Sequence, residues 1–315
     1  DDDDLARTVL LAYAMRIRPH HLRELARTLD DRWDLLGNHP PPPEPDPVDV
    51  TGILGHMDEA LALDRDDVDE DDKLRIRLTR IRDAQTALCG AVDETDTVRV
   101  LADDDHRKSL NAGGDGNKQV WGDDKAAIVE AAYAARDLWD ALLRATAGAV
   151  LRRLLADLVA ATLEAAVERR HAGTLVFHDL LVIARDLLAD PIVGDAVRTS
   201  LHERYRRVLL DEFQDTDPLQ LELALLLTDP DSPVHPSFDP GDFSPDPGSL
   251  FLVGDPKQSI YRFRRADVAL YLRARRTLDS TLVALTENFR TTVPIIDWVN
   301  AVFAHLIGTG PPLDT

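Results

Sequence analysis

The chain has 315 residues, 44% of them hydrophobic, so it is long enough for two globular domains and too apolar to be a disordered tail. None of its apolar runs approaches the roughly 20 residues needed to span a membrane. Its one cysteine, Cys89, excludes both a disulfide framework and a cysteine-based zinc site. A single cysteine also fits a reducing, cytoplasmic setting. The net charge of −21 argues against nucleic-acid binding through a broadly basic surface, so any such path must be locally basic.

The first half of the chain is predicted to be helical. Residues 5–37 place leucines and a tryptophan on one helical face, and the proline-rich residues 40–47 then break the helix and are typical of a stiff linker. Helical patterns return over residues 71–89 and again over 124–170, where the Ala, Leu, Arg and Glu content predicts one or two long helices. No strand signal of any strength precedes residue 174.

The second half contains three short, continuous apolar runs, at residues 208–210, 250–253 and 282–285. Each run ends in polar residues and is followed by a helical pattern, as buried parallel strands are. Repeated strand, polar turn and helix predict an α/β sheet whose strand ends carry the chemistry. The Pro-, Asp- and Ser-rich residues 229–249 are predicted to form an exposed insertion loop.

The strongest chemical signal, the sequence DEFQDT, follows the first predicted strand. Asp211 and Glu212 stand at the strand end, where nucleotide hydrolysis needs one carboxylate for Mg²⁺ and one to orient or deprotonate water. In a chain with 57 acidic residues, the pair alone is equally well explained as a solvated surface feature. The functional interpretation gains from the context: Asp217 is a predicted helix N-cap, with Pro218 in the first turn and Gln220 completing a capping box.

The second signal is the sequence GDPKQSIYRFR after the second predicted strand. Gln258 stands just beyond a tight turn, where it could hydrogen-bond a terminal phosphate oxygen or the attacking water. The residues after it interleave Tyr261 and Phe263 with arginines, which together offer faces for stacking bases and charge for a phosphate backbone. The alternative is that the aromatic side chains belong to the core and the arginines to a solvated face.

The motifs DEFQDT, GDPKQSIYRFR and LTENFR, in this order, resemble motifs II, III and IV of superfamily 1 DNA helicases of the UvrD/RecB/AddA type. The resemblance covers about residues 173–305. Within it, residues 173–181 (GTLVFHDLL) are similar to the run that precedes motif II in that family. Earlier in the chain, Trp33–Leu36 (WDLL) is reminiscent of the helical insertion domain, called 1B, of RecB- and AddA-like members.

The resemblance implies an α/β fold: a parallel-sheet, RecA-like motor domain, here partial, preceded by a mostly helical insertion domain. The expected domains are a helical 1B-like domain over residues 1–165, the C-terminal half of motor domain 1A over 166–280, and the start of the second motor domain, 2A, over 281–315.

The resemblance also implies three catalytic residues. Glu212 would be the general base, Gln258 would sense the γ-phosphate, and Arg290 would reach that phosphate from the second motor domain as an arginine finger. Without the motif, Arg290 would be interpreted as a surface arginine. Its place between a predicted strand and a helix cap at Thr291 or Thr292 favours the functional role.

The same resemblance implies ATP and Mg²⁺ as cofactors and DNA as the partner. ATP would be bound by Asp211 through Mg²⁺, by Gln214, and by Phe289, which would stack on the adenine. The DNA contacts that carry over from the family are Tyr261 and Arg264. DNA contact is expected to concentrate on the whole run Tyr261, Arg262, Phe263, Arg264 and Arg265, next to Gln258.

The sequence departs from the family pattern in three ways. Arg265 stands where the family usually has glycine, and His178 replaces a usual acidic residue and is interpreted as a solvated or capping group without a role. The sequence also contains no Gly-x-x-x-x-Gly-Lys-Ser/Thr phosphate loop, because Lys118 of the glycine-rich run 113–118 is followed by Gln119 and no strand precedes it. The chain is therefore expected to begin after that loop, to end just inside the second motor domain, and to be inactive alone.

The function that the resemblance implies is that of an ATP-dependent 3′-to-5′ DNA helicase or translocase in DNA repair and recombination. Its partners would be single- and double-stranded DNA and a second helicase–nuclease subunit, with no membrane. Two alternatives stay open: a non-catalytic, helicase-like DNA-binding or assembly module, and an unrelated ATPase with a similar acidic strand end. Intact Asp211, Glu212, Gln258 and Arg290 argue against the first, and the second and third motifs argue against the other.

Overall fold

The structure is a computed structural model that describes residues 2–37, 40–232, 237–278, 281–285 and 287–307. It divides into two compact units: unit 1 comprises the residues up to Val182, and unit 2 the residues from Ile183 onward. In its described residues, unit 1 contains only helices and loops, whereas unit 2 combines helices with a small parallel sheet. A largely helical chain that carries a parallel sheet in its second half confirms the coarse α/β prediction.

The helices of unit 1 are α1 (Asp2–Ala14), α2 (Pro19–Asp30), α3 (Thr51–Leu61), α4 (Lys73–Cys89), α5 (Glu94–Leu101), α6 (Asp104–Ser109), α7 (Lys118–Trp121) and α8 (Asp124–Ala172). The division between the units falls within α9 (Phe177–Leu188). The elements of unit 2 are α10 (Gly194–Arg204), β1 (Val208–Leu210), α11 (Pro218–Thr228), β2 (Leu250–Leu252), α12 (Val268–Thr277) and α13 (Val293–Ile307).

Two buried tryptophans organise the core of unit 1. Trp139 of α8 donates its indole hydrogen bond to the carbonyl of Leu101 (2.9 Å), and Trp121 donates to Asp72 Oδ1 (3.0 Å). The same Asp72 oxygen caps α4, so one carboxylate accepts hydrogen bonds both from the first turn of that helix and from a buried indole. The predicted long helical segment is the single, 49-residue α8, which ends where Gly173 takes the left-handed conformation (φ 67°).

The helical prediction for residues 5–37 needs one correction. The segment is two helices and a short 3-10 turn over Trp33–Leu35, because Arg16 is left-handed (φ 67°) and Pro19 starts a new helix at the first position, where its missing N–H costs nothing.

The proline-rich segment has no regular secondary structure in its described residues, but it is anchored to helices. Arg7 of α1 donates to the carbonyl of Pro45 (2.8 Å) and pairs with Glu94 of α5 (2.8 Å). The segment is therefore a fixed connection inside unit 1, and its backbone carbonyls hold it there.

A buried carboxylate links three separate parts of unit 1. Asp179, in the first turn of α9, accepts hydrogen bonds from Trp33 Nε1 (2.9 Å) and from Arg169 Nε (3.0 Å) near the end of α8. Burial raises the pKa of Asp179, but these hydrogen bonds outweigh it and hold the pKa below its usual range. Beside it, His178 Nε2 lies 2.8 Å from Asp34 Oδ1, so this histidine is not simply solvated.

The sheet of unit 2 consists of β1 and β2, which pair in parallel with Leu210 opposite Leu252. One face of the pair packs on α11 and α12, around the buried Leu221 and Leu225. The predicted third strand at residues 282–285 is wrong: in the structure this run is irregular and exposed. A short apolar run becomes a strand only where a neighbouring strand takes up its backbone hydrogen bonds, and the described sheet has two strands.

Among the described residues, no helix combines the length and the apolar character that crossing a membrane requires.

Candidate functional site

The two polar loops that carry the sequence motifs begin side by side. Because β1 and β2 are parallel and in register, their carboxyl ends meet at the same edge of the sheet. The backbone pairing continues past both strands: Val253 N donates to Leu210 O (2.9 Å), and Phe213 N donates to Val253 O (2.8 Å). Asp211 and Glu212 therefore leave the sheet next to Gly254, and both carboxylates are exposed.

Glu212 has an unusual backbone conformation. Its φ of 51° and ψ of 43° lie in the left-handed region, which is costly for a residue with a Cβ and is found mainly where the surroundings impose it. Its N–H donates to Asp211 Oδ1 (2.9 Å), and its Oε2 accepts a hydrogen bond from Gln214 Nε2 (2.7 Å). The turn thus exposes two adjacent carboxylates, and the hydrogen bond from Gln214 holds the carboxylate of Glu212 in place.

Gln214 joins the two loops through its side-chain amide. It is only 2% exposed, and its Oε1 accepts from the N–H of Asp255 (2.9 Å) while its Nε2 holds Glu212. Its backbone carbonyl also accepts from Ser259 Oγ (3.2 Å). An amide donates and accepts at once, which a carboxylate or an apolar side chain cannot do. The predicted contact of Gln214 with the nucleotide stays a prediction, since the structure places the residue beneath Glu212.

The chain of hydrogen bonds continues to Gln258. Asp255 Oδ2 accepts from Gln258 Nε2 (3.0 Å), and Asp255 Oδ1 caps the following turn through Lys257 N (3.0 Å). Gln258 itself is exposed. A continuous path of side-chain and backbone hydrogen bonds therefore runs from Glu212 through Gln214 and Asp255 to Gln258, and it connects the predicted general base with the predicted sensor of the γ-phosphate.

Gly254 permits the close approach of the two loops. A Cβ at this position would lie 2.6 Å from Gln214 Oε1 and 3.1 Å from the backbone nitrogens of Phe213 and Gln214. Tyr271 of α12 donates its hydroxyl hydrogen bond to the Gly254 carbonyl (3.2 Å) and tilts its ring against that of Phe213, with centroids 5.0 Å apart. The nearest of the three atoms around such a Cβ belongs to a buried side chain that its own hydrogen bonds hold in place, and the other two are backbone atoms that cannot rotate away.

We expect Gly254→Ala to destabilise unit 2 by about 1–3 kcal/mol, because the added methyl group overpacks a site bounded by the Gln214 amide and by backbone atoms. The measurement is amide hydrogen exchange of α11 and α12. Gly241→Ala is the matched control, since a Cβ there would be in ordinary contact at 3.4 Å or more. If the amides of α11 and α12 exchange equally slowly in the two variants, the loops can accommodate the added methyl group without loss of stability.

The aromatic and basic residues after Gln258 form a short 3-10 turn at the surface, which we call the aromatic–arginine turn (Tyr261–Arg264). Phe263 is 77% exposed, its ring centroid lies 5.8 Å from that of the half-buried Tyr261, and the Arg264 guanidinium lies 5.5 Å from the Tyr261 ring centre. Arg262 and Arg264 are exposed. Rings and cations therefore share one surface, as single-strand binding requires.

Arg265 lies directly after this turn in a different environment. Its Nε contacts Asp217 Oδ2 at 2.8 Å, and the two side chains are only 14% and 12% exposed. Its φ of 73° is left-handed, the conformation that glycine adopts most readily. The contact of Arg265 with DNA stays a prediction.

Phe289 and Arg290 lie in an exposed segment just before α13. Phe289 is 91% exposed, and Arg290 N and Thr291 N donate to Asn288 Oδ1 (2.9 and 3.0 Å). Thr286, also part of the LTENFR motif, lies outside the described residues. Their predicted contacts with ATP stay predictions.

Besides Asp255, two residues at the site carry no functional prediction from the sequence. Asp215 Oδ1 is buried with no hydrogen-bond partner among the described residues, and the only signal in the sequence is a third acidic residue five positions into the motif. Tyr271 lies under both loops, where burial raises the pKa of its hydroxyl. A tyrosine in the middle of a helix gives no sequence signal of this contact.

The described residues contain no group of three or more His, Cys, Asp or Glu side chains arranged to hold a metal ion. The adjacent carboxylates of Asp211 and Glu212 still fit Mg²⁺, because this ion usually takes one or two carboxylates and completes its coordination with phosphate oxygens and water. Asp211, exposed at the strand end, is the carboxylate in the position to serve.

The family model for the UvrD/REP helicase N-terminal domain matches residues 77–279, which include both loops of the site. The chain belongs to this family. Among curated relatives, an ATP-dependent helicase/nuclease protein of Listeria monocytogenes is 32% identical over 146 residues, or 44% of this chain. The corresponding protein of Exiguobacterium sibiricum is 34% identical over 158 residues, or 49% of this chain, and the RecBCD enzyme subunit RecB of Chlamydia pneumoniae is 36% identical over 129 residues, or 41%.

These relatives are much longer than the chain. The matched residues cover 11%, 12% and 11% of the lengths of the Listeria, Exiguobacterium and Chlamydia proteins, respectively.

Proposed function

We propose that the chain is a central part of an ATP-dependent 3′-to-5′ DNA helicase or translocase of the UvrD/RecB/AddA type that acts in DNA repair and recombination. The observation that carries the proposal is the hydrogen-bonded path from Glu212 to Gln258, which stands three positions before Tyr261, the first residue of the aromatic–arginine turn. The family membership and the relatives, two of which are named ATP-dependent helicase/nuclease subunits, support the same reaction.

The proposed domains are those the motifs imply: a 1B-like domain over residues 1–165, half of a RecA-like motor domain over 166–280, and the start of a second over 281–315. The uncovered face of the sheet supports a larger motor domain. Leu209 and Phe251 are register partners and remain 69% and 57% exposed, although parallel sheets usually have both faces covered. The parent protein, meaning the longer protein to which we assign this sequence, would supply the missing cover.

In the proposed reaction, Asp211 would hold Mg²⁺, which when bound would supply positive charge to the phosphates. Glu212 accepts the proton of the attacking water, and Gln214 holds the Glu212 carboxylate in place. Gln258 contacts the γ-phosphate, and Arg290 adds positive charge to the transition state. Phe289 stacks on the adenine. The proposed partners are single- and double-stranded DNA and a second helicase–nuclease subunit, in the cytoplasm.

The aromatic–arginine turn gives the proposal a direct test. Tyr261→Ala in the parent protein is expected to weaken single-strand binding by about 1–3 kcal/mol, the usual contribution of a stacked base. It should also reduce DNA stimulation of the ATPase while the DNA-free rate stays nearly unchanged, because the ring lies outside the hydrolytic site. Fluorescence anisotropy with a labelled oligothymidylate and a steady-state ATPase assay measure the two effects.

Tyr205→Ala is the matched control. Tyr205 is also in unit 2, is partly exposed, and has the Arg204 guanidinium 5.1 Å from its ring centre, as Tyr261 has that of Arg264. It should leave affinity unchanged. If Tyr261→Ala lowers the melting temperature but not the affinity per folded molecule, Tyr261 is a core residue and the assignment to DNA is wrong.

A further inference from the structure

Arg265 occupies a backbone conformation that its side chain disfavours. Its φ of 73° and ψ of 4° are left-handed, and a residue with a Cβ stays in this region only where its surroundings over-determine it. The N–H of Arg265 donates to Arg262 O (3.2 Å), so the residue also closes the aromatic–arginine turn. A favourable contact of the side chain must therefore offset the strain of the backbone.

That contact is the ion pair with Asp217. The 2.8 Å separation between Nε and Oδ2 is a charge-assisted hydrogen bond, and both side chains are largely withdrawn from water. Such a bond is stronger than an exposed surface ion pair, which water and salt screen. Glycine at position 265 would adopt the backbone conformation more easily but could not form this contact.

Asp217 is itself held firmly at the start of α11. Its Oδ1 accepts from Leu219 N (2.8 Å), and Gln220 Oε1 accepts from Asp217 N (3.3 Å), which completes the capping box. The helix it caps packs through Leu221 and Leu225 against Phe213, the residue after Glu212. Asp217 is thus rigidly connected to the loop that carries the catalytic carboxylates.

We infer that Arg265 is a positioning residue: with Asp217 it forms a latch that fastens the aromatic–arginine turn to α11. The latch holds Tyr261 and Phe263 at a fixed place relative to the Glu212 loop, by a route separate from Gln258, and Arg265 itself does not contact DNA. The inference rests on the proposed function, because it takes the turn to be the surface that binds single-stranded DNA.

The test uses the 315-residue chain and three substitutions in unit 2. Asp217→Asn removes the charge from the latch but keeps an N-cap of equal quality, since Asn and Asp cap helices about equally well. Arg265→Gly removes the other partner and suits the left-handed backbone. Asp267→Asn is the matched control, because Asp267 caps α12 through Ala269 N and Leu270 N and lies two residues from Arg265.

The first measurement is amide hydrogen exchange at Arg264 and Ala266, both of which donate to Tyr261 O within the turn (2.8 and 3.3 Å). Asp217→Asn is expected to speed this exchange roughly three- to tenfold, the scale for weakening one charge-assisted hydrogen bond. Asp267→Asn should leave it unchanged. Unchanged exchange in Asp217→Asn would overturn the latch.

The second measurement is the affinity of the folded protein for an oligothymidylate of about 15 nucleotides. Asp217→Asn and Arg265→Gly should each weaken it by a similar factor, and the double variant by no more than either alone, because both remove one shared interaction. If Arg265→Gly weakens binding while Asp217→Asn leaves it unchanged or tightens it, Arg265 contacts DNA itself and the inference is wrong. If the unsubstituted chain has no affinity for DNA, the same variants are measured in the parent protein. A parent protein without affinity for DNA would contradict the proposed function, and the exchange rates would still decide the latch.

Discussion

Glu212→Gln in the parent protein is expected to preserve ATP binding and to reduce hydrolysis by roughly 10²–10⁴-fold, the usual contribution of a general base. The amide matches the carboxylate in shape, and its oxygen can still accept the hydrogen bond that Gln214 Nε2 donates to Glu212 Oε2. The strained turn at Glu212 should therefore survive, and only the ability to take a proton from water is lost.

The measurements are the steady-state ATPase rate with single-stranded DNA and the affinity for a fluorescent ATP analogue. Glu203→Gln makes the same chemical change at an exposed site on α10 and should leave both unchanged. A rate for Glu212→Gln within a few-fold of the unsubstituted protein would remove Glu212 from the mechanism and favour a non-catalytic DNA-binding or assembly module.

The 315-residue chain by itself is expected to hydrolyse no ATP. Its sequence has no Gly-x-x-x-x-Gly-Lys-Ser/Thr loop, whose amides and lysine hold the β- and γ-phosphates in this class of ATPase. The one glycine-rich run has a structural role instead. Gly116 is left-handed (φ 78°) and packs against the core of unit 1, where a Cβ would be 2.8 Å from Leu74 Cβ.

A sensitive phosphate-release assay of the purified chain, with and without oligothymidylate, tests this expectation, and the parent protein assayed alongside is the positive control. Turnover that DNA stimulates and that Glu212→Gln abolishes would show that the chain holds the triphosphate without such a loop. Turnover unaffected by Glu212→Gln would indicate a contaminating ATPase.

Patterns that depend on near neighbours were predictable from the sequence. The capping box of Asp217 and Gln220 forms as expected because its atoms lie within one helical turn, and the apolar runs before Asp211 and Gly254 are indeed parallel strands. The run at residues 282–285 has the same apolar pattern but forms no strand, because pairing is a property of the neighbouring backbone and not of the run itself.

The interior of the site could not be predicted in this way. Gln214 follows Glu212 by two residues, yet the sequence does not indicate that its amide also reaches Asp255, 41 positions later. The sequence predicts a DNA contact for Arg265, because it continues the run of rings and arginines next to Gln258. Its largely buried contact with Asp217 depends on where the turn lies against α11, which is decided by packing.

By itself, the sequence determined the helical first half, the two strands, the order of the motifs and, through them, the family. These features rest on hydrophobic period, local capping and residue identity, all of which are written along the chain. Only the tertiary structure decided the left-handed turn at Glu212, the hydrogen-bonded path to Gln258 and the partners of His178 and Arg265. Each of these features either joins residues that are distant in sequence or holds a strained backbone conformation through surrounding contacts. Such contacts form only when the elements pack together.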